Sequence, residues 1–209
     1  VAGKFISFEG GEGAGKSTQT RLLADSLKER GIDVVLTREP GGSPGAEEIR
    51  KLLVEGEPER WNPLTETLLF LAARSDHVAR LIGPTLEKGS WVVCDRFSAS
   101  TLVYQGIARG VGIETVRALQ EAIPGMVYPD LTIVLDIDPE IGLQRAGTRP
   151  EVLESRFEKF DSAFHDTLRR SFREFAEASE NNCVVINGGR APEEVAADVR
   201  RIVKERLSP

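Results

Sequence analysis

Gly10-Gly11-Glu12-Gly13-Ala14-Gly15-Lys16-Ser17 matches the pattern G-x-x-x-x-G-K-[ST] at every fixed position. The setting of the match carries as much weight as the match itself. Lys4–Glu9 (KFISFE) ahead of it reads as a strand, and a helix follows from about Lys16 to Arg30, with Gly31 past its end. Small residues let the backbone wrap tightly, so successive N–H groups point inward at phosphate oxygens. The start of the following helix adds a favourable dipole. In such a loop Lys16 reaches the β- and γ-phosphates of a nucleotide, and the Ser17 hydroxyl coordinates Mg²⁺. The bland alternative is a flexible glycine turn. A complete motif between a strand and a helix argues against it.

Outward from the loop, short β-rich runs alternate with longer helical ones. Asp33–Arg38, Trp91–Asp95, Leu131–Asp136 and Cys183–Ile186 read as the remaining strands. A turn from Glu39 to Gly45 leads into a short helix around Ala46–Val54. Asn62 as cap and Pro63 at the first helical position open a long helix to about Ile82. Pro139–Arg145, a charged region over Glu151–Glu180 and a final stretch over Pro192–Leu207 are helical patterns too. Strands that are nearly all apolar are buried on both faces. The expected fold is therefore α/β: a five-stranded parallel sheet with helices on both faces, the P-loop NTPase fold, as one domain over residues 1–209.

A chain of 209 residues buries about 70–75% of its unfolded surface and needs no disulfide or structural metal to fold. Cys94 and Cys183 sit in separate apolar runs without metal-ligand spacing, so they read as buried small side chains in a reducing compartment. The net charge of −6 disfavours a nucleic-acid polymer as partner, since a phosphate backbone calls for a basic surface. A small phosphorylated ligand needs only a few converging arginines. No apolar stretch approaches the ~18 residues of a membrane span, and the N-terminus lacks a signal-peptide layout. No membrane association and a cytoplasmic location are the expectation.

The loop alone does not separate kinases, GTPases and mechanical ATPases. A guanine-specific GTPase carries N-K-x-D after a later strand, whereas Asp136 is followed by Ile-Asp-Pro. A motor ATPase ends its acidic strand in Asp-Glu, the glutamate polarising water. Here the WVVC strand ends in Asp95-Arg96, and an arginine suits holding an anionic acceptor. Asp95 and Arg96 also stand at the carboxyl edge of a strand, where open α/β sheets bind ligands. Phe70 and Arg74, four apart on a helix, share a face: a base could stack on the ring while the guanidinium donates to a base carbonyl. The plainer reading makes Phe70 core and Arg74 a solvated charge.

Thr37-Arg-Glu-Pro-Gly-Gly42, Phe70-Leu-Ala-Ala-Arg74, Asp95-Arg96-Phe97-Ser98 and Tyr104-Gln105-Gly106 resemble segments of the bacterial thymidylate kinases, in that family's order and spacing. The similarity runs from the first strand to the last helix. It implies transfer of the γ-phosphate of ATP, with Mg²⁺ as cofactor, to the 5′-phosphate of dTMP, giving dTDP for dTTP synthesis. It also implies a homodimer. ATP binding falls to Gly10, Gly11, Glu12, Gly13, Ala14, Gly15, Lys16, Ser17 and Thr18, with Arg145 and Arg149. Acceptor binding falls to Glu39, Pro40, Arg50, Phe70, Arg74, Arg96, Ser100, Thr101, Tyr104 and Gln105. Glu12 contacts the acceptor's 3′-hydroxyl, Arg96 its phosphate, and Tyr104 lies beside the deoxyribose. Ser17 and Asp95 support Mg²⁺, Asp95 through water. The runner-up is a nucleoside monophosphate kinase for UMP or dUMP; a non-catalytic nucleotide sensor is the reading from another class.

Some members of the family carry a catalytic arginine inside the phosphate loop. Glu12 occupies that place here, so the resemblance puts the arginine in a mobile lid over residues 144–156. Arg145, Arg149 and Arg156 are the candidates, with Arg149 favoured because glycine and proline flank it. Gly147 and Ser155 depart from the family's usual lid. His77 and His165 show no acid–base partner in the sequence and take no catalytic role.

Overall fold

Alternation along the strands decides how the layers form. In the computed structural model, which describes residues 3–148, 156–179 and 182–208, the strands are β1 (Phe5–Glu9), β2 (Val34–Arg38), β3 (Trp91–Asp95), β4 (Leu131–Asp136) and β5 (Cys183–Asn187). They form a sheet in the order β2-β3-β1-β4-β5, every pairing parallel. Ile6 and Phe8 of β1 and Leu131, Ile133 and Leu135 of β4 share one face. There they pack on Leu23 and Leu27 of α1 (Lys16–Glu29) and on Val195, Val199 and Val203 of α9 (Pro192–Leu207). The opposite face is covered by two clusters. Phe5, Val92 and Cys94 meet Val78, Ile82 and Phe97, while Val134 meets Phe164, Leu168 and Phe172 of α8 (Ser162–Glu177). Each such fully buried side chain contributes about 1.5–3 kcal/mol relative to exposure.

The expected fold class holds, with corrections inside it. β1, β3 and β4 are buried nearly throughout, but β2 and β5 are not: Leu36 is 43% and Val185 44% exposed. Both are edge strands, a position that local composition does not encode. The helix expected to run from Asn62 to Ile82 is interrupted. α2 (Pro44–Val54) is followed by α3 (Pro63–His77), whose Asn62 cap accepts from Thr65 N. A π-helical turn over Val78–Ile82 then leads into α4 (Gly83–Glu87). Pro84 lacks an N–H and would clash with the carbonyl four residues back, which favours the wider turn. Likewise the charged region after residue 150 is not one helix where it is described. A 3₁₀ turn over Arg156–Lys159 precedes α8, which starts afresh where the Asp161 carboxylate accepts from Phe164 N at 2.8 Å.

The connections after β1, β2, β3 and β5 emerge at the carboxyl edge of the sheet and line one cleft. α5 (Ser98–Thr101), a π-helical turn over Leu102–Ala108 and α6 (Ile113–Glu121) connect β3 to β4, and α7 (Pro139–Ala146) follows β4.

Candidate functional site

The phosphate loop is held by backbone-to-backbone packing. Gly13 has a φ of 64°, and a Cβ there would fall 1.8 Å from the carbonyl oxygen of Gly142 on α7. Conversely, a Cβ on Gly142 would fall 2.4 Å from Glu12 O. Lys16 donates from Nζ to the carbonyls of Gly10 (3.2 Å) and Gly11 (2.7 Å). Ser17 Oγ donates to Asp95 Oδ2 at 2.5 Å, joining the loop to the end of β3.

From this loop a cleft of about 790 Å³ extends to the π-helical turn after α5. Of the residues expected in the nucleotide site, Glu12, Gly13, Ala14, Gly15, Lys16, Ser17, Thr18 and Arg145 line it. Gly10 and Gly11 are not among its lining residues; they border a separate small cavity behind the loop. Of the expected acceptor residues, Glu39, Pro40, Arg50, Phe70, Arg74, Arg96, Ser100, Thr101, Tyr104 and Gln105 all line the cleft, as does Asp95. Arg149 lies outside the described residues.

Arg96 lines the cleft and has a φ of 67°, a left-handed conformation that costs a non-glycine residue about 1–2 kcal/mol. Its surroundings over-determine it. Arg96 N donates to Phe8 O at 2.8 Å, and the next N–H, of Phe97, donates to Glu9 Oε1 at 2.9 Å. The guanidinium donates to Gly10 O, Ser100 Oγ and, at 2.8 Å, Glu12 Oε1. Burial disfavours its charge, but Glu12, Tyr104, Asp95 and Glu9 around it together outweigh that and hold the guanidinium above its ordinary value. Tyr104 also donates to Glu12 Oε1, at 2.9 Å. Burial pushes the Tyr104 phenol well up. Glu9, fully buried, accepts from Ser100 Oγ as well, and burial pushes its carboxyl up to about 7.

The far end of the cleft is organised by Glu39. Its Oε2 accepts from Arg74 Nε at 2.8 Å and its Oε1 faces His77 Nδ1 at 3.1 Å, while His77 Nε2 meets Thr37 Oγ1 at 2.8 Å. His77 is thus a wholly buried support for Glu39, a role with no signal in the sequence. Arg74 is 2% exposed, lies over the Phe97 ring at 4.8 Å and donates to Thr101 Oγ1 at 3.0 Å. Its remaining nitrogen, Nη1, is buried and has no hydrogen-bond partner among the described residues. Arg50 donates to Pro40 O at 2.6 Å. Phe70 is half-buried, 6.0 Å from Phe157. The plainer reading of the pair does not fit: Phe70 lines the cleft, and Arg74 is buried rather than solvated.

The lid arginines separate. Arg145 lines the cleft and donates to Gly188 O at 3.1 Å, just past β5. Arg156, a candidate in the sequence, is instead wholly buried and paired with Glu66 of α3. It stands outside the cleft lining, because the turn that follows it packs its side chain beneath α2 and α3. Several lining residues escaped the sequence reading: Gln19, Phe157, Gly188, Arg190 and Pro192. A Gly-Gly-Arg run at the carboxyl end of a strand was a usable signal for Gly188 and Arg190. Phe157 offered none.

A family model described as thymidylate kinase matches residues 8–199. A thymidylate kinase of Caulobacter vibrioides is 51% identical over 205 residues, covering 98% of both chains. One of Dinoroseobacter shibae is 53% identical over 200 residues, covering 94% of each. Among solved structures, the thymidylate kinase of Ehrlichia chaffeensis superposes with a TM-score of 0.78 at 33% identity, covering 97% of this chain and 99% of that one. A match over nearly the whole length, joined to a complete phosphate loop on the expected sheet, leads to one conclusion: the chain belongs to the thymidylate kinase family.

Proposed function

We propose that the chain transfers the γ-phosphate of ATP to the 5′-phosphate of dTMP. An oxygen of the acceptor phosphate attacks the γ-phosphorus, the bond to the β-phosphate bridge breaks, and ADP leaves. The observation that carries this reading is a single cleft with a phosphate loop at one end and the buried guanidinium of Arg74 at the other, Arg96 between them. Lys16 and the loop amides hold the β- and γ-phosphates, and Arg96 holds the acceptor phosphate, where a planar guanidinium binds two oxygens at once. Arg74 Nη1, without a partner among the described residues, donates to the O4 carbonyl of the base after a small adjustment. Glu12, already bonded to Tyr104 and Arg96, accepts from the 3′-hydroxyl, and Tyr104 closes the space beside C2′. Phe70 stacks on the base, Thr101 and Gln105 bond its edge, and Glu39, Pro40 and Arg50 wall the pocket.

Ser17 Oγ and Asp95 Oδ2 stand 2.5 Å apart, a hard-oxygen pair that suits a Mg²⁺ keeping its waters and phosphate oxygens. When bound, Mg²⁺ neutralises developing phosphate charge. Catalysis is otherwise positioning and electrostatics, with Arg149 delivered by a lid over residues 144–156 that excludes water. The kinase works as one domain and as a homodimer in the cytoplasm. Leu64 and Leu68, one turn apart on α3 and 49% and 47% exposed, are apolar surface for a second copy. The buried free thiols of Cys94 and Cys183 agree with a reducing compartment. A coupled ADP-release assay across dTMP, dUMP, UMP, CMP and GMP tests the reaction. Turnover is expected with dTMP above all, and equal rates with and without any acceptor would refute it.

A further inference from the structure

Behind the base end of the cleft stand three charged side chains that the proposed reaction does not use: Glu66, Arg109 and Arg156. Glu66 on α3 is wholly buried. Its Oε2 accepts from Arg156 Nη2 at 2.5 Å, and Arg109 Nε lies 3.8 Å from its Oε1. Arg156 is itself anchored on backbone carbonyls, of Leu53 at 3.1 Å, Glu57 at 3.0 Å and Pro58 at 2.5 Å. A buried ion pair of this kind recovers its desolvation only through such hydrogen bonds, and an apolar cluster is often as stable. Stability is therefore a weak reason for its presence, and its neighbour supplies a better one.

The second bond of Glu66 runs to Gln105, whose Nε2 donates to Glu66 Oε1 at 2.8 Å. Taken alone, an amide can face either way round. Glu66 removes that freedom, because an ion-paired carboxylate offers only lone pairs and so must meet the amide nitrogen. The amide's other end, an acceptor oxygen, is left for the cleft that Gln105 lines beside Arg74 and Thr101.

We propose that Glu66, locked by Arg156, is a positioning residue for base selection: it sets the Gln105 amide so that the cleft offers an acceptor to the N3–H of a 2,4-dioxopyrimidine. This rests on the dTMP reading above. Arg74 then supplies the donor and Gln105 the acceptor, a pattern that complements O4 and N3–H. Cytosine presents the reverse at both places, an amino donor and a bare N3. A site built on paired hydrogen bonds rejects the mismatched analogue far more strongly than shape alone does.

Glu66→Gln tests the inference. The new side chain must give its oxygen to Arg156, which has only donors, so its NH₂ faces Gln105 and turns that amide over. Measured as kcat/KM for dTMP over that for dCMP, the preference is expected to narrow tenfold or more, with the KM for ATP unchanged. Glu66→Asp keeps a carboxylate and should retain the preference even if both rates fall. A merely structural role lowers both substrates together and leaves the ratio at the wild-type value; that result overturns the proposal. Should Glu66→Gln fail to fold, calorimetry on the wild-type enzyme decides. There N3-methyl-dTMP should bind at least tenfold more weakly than dTMP, and equal affinity overturns the proposal. A wild-type enzyme that turns over no dTMP brings down the dTMP reading and this inference together, and it is recognised from the wild-type arm alone.

Discussion

Glu9 illustrates how one residue can tie backbone strain to acid–base behaviour. It is fully buried, and it grips Phe97 N and Ser100 Oγ just past the strained Arg96. Burial raises its carboxyl from an ordinary 4.5 to about 7. The native state therefore keeps a proton that the unfolded chain has already lost. Its stabilising contribution is full below pH 4.5 and is lost as pH rises through about 7, on the order of 3 kcal/mol for a shift of this size. Glu9→Gln, which carries no titrating proton, should flatten the fall in stability between pH 5 and 8. Urea unfolding at unit pH steps checks this, and parallel wild-type and variant curves would exclude Glu9 as the group responsible. At the other end of the cleft, removing Arg74 deletes a cleft-lining guanidinium whose buried Nη1 has no partner among the described residues, and it leaves Glu39 facing His77 without its arginine. Arg74→Ala should raise the KM for dTMP at least tenfold while shifting that for ATP by less than twofold. Initial-rate titration of each substrate reads the split, and an ATP-only effect would place Arg74 at the wrong end.

Among the elements, the contact of the phosphate loop with α7 is the tightest close approach of backbones near the site. Gly142 is buried against Glu12 O, and a Cβ there would lie 2.4 Å from that oxygen. Because the obstacle is backbone, no side chain can swing aside. Gly142→Ala should push the loop off its position, destabilising the fold by about 1–3 kcal/mol and weakening ATP binding about tenfold. Thermal melts and calorimetry measure both; an unchanged Kd would mean that the loop yields freely. The lid is the second element-scale question. Arg145 sits against Gly188 O, on the side of the loop after β5, so Arg145→Ala is expected to raise the KM for ATP. Arg149→Ala should instead lower kcat by roughly 10²-fold, about 3 kcal/mol of transition-state stabilisation, with ATP affinity kept. Arg156→Ala removes the short ion pair of the buried Glu66 and leaves it only the more distant Arg109 and the Gln105 amide among the described residues, and should cost about 3–5 kcal/mol of stability rather than act on kcat alone. A pure kcat defect in that variant would return Arg156 to the lid.

On the scale of the whole molecule, the site exists because strand order brings distant segments to one edge. β1 and β3 pair in register Phe8 with Asp95, and β2 pairs Arg38 with Asp95. The loop at Gly10, the turn at Glu39 and the arginine at Arg96 therefore emerge side by side. The same packing leaves Leu64 and Leu68 half exposed on α3. If that face joins two copies, Leu68→Glu should convert the protein to monomers in sedimentation at micromolar concentration. A dimer that persists unchanged would move the interface elsewhere.

Local pattern alone is enough for the strands, most of the helices and the phosphate loop, whereas most acceptor-side residues of the cleft came from the family resemblance. Gly10 to Ser17, the apolar runs of β1, β3 and β4, and the Asn62-Pro63 cap each state their structure within a few residues, because turns, caps and strand burial are short-range physics. Phe70, Arg74, Arg96 and Gln105 were legible once their segments were taken together. What only the tertiary structure decided depends on neighbours remote in sequence. That β2 and β5 are edges follows from strand order, and that His77 braces Glu39 follows from the packing of α3 on the turn after β2. Arg156 looks like any lid cation until Glu66, 90 residues away, is seen to accept from it. A charge's role is set by what surrounds it, and only the folded chain brings those surroundings together.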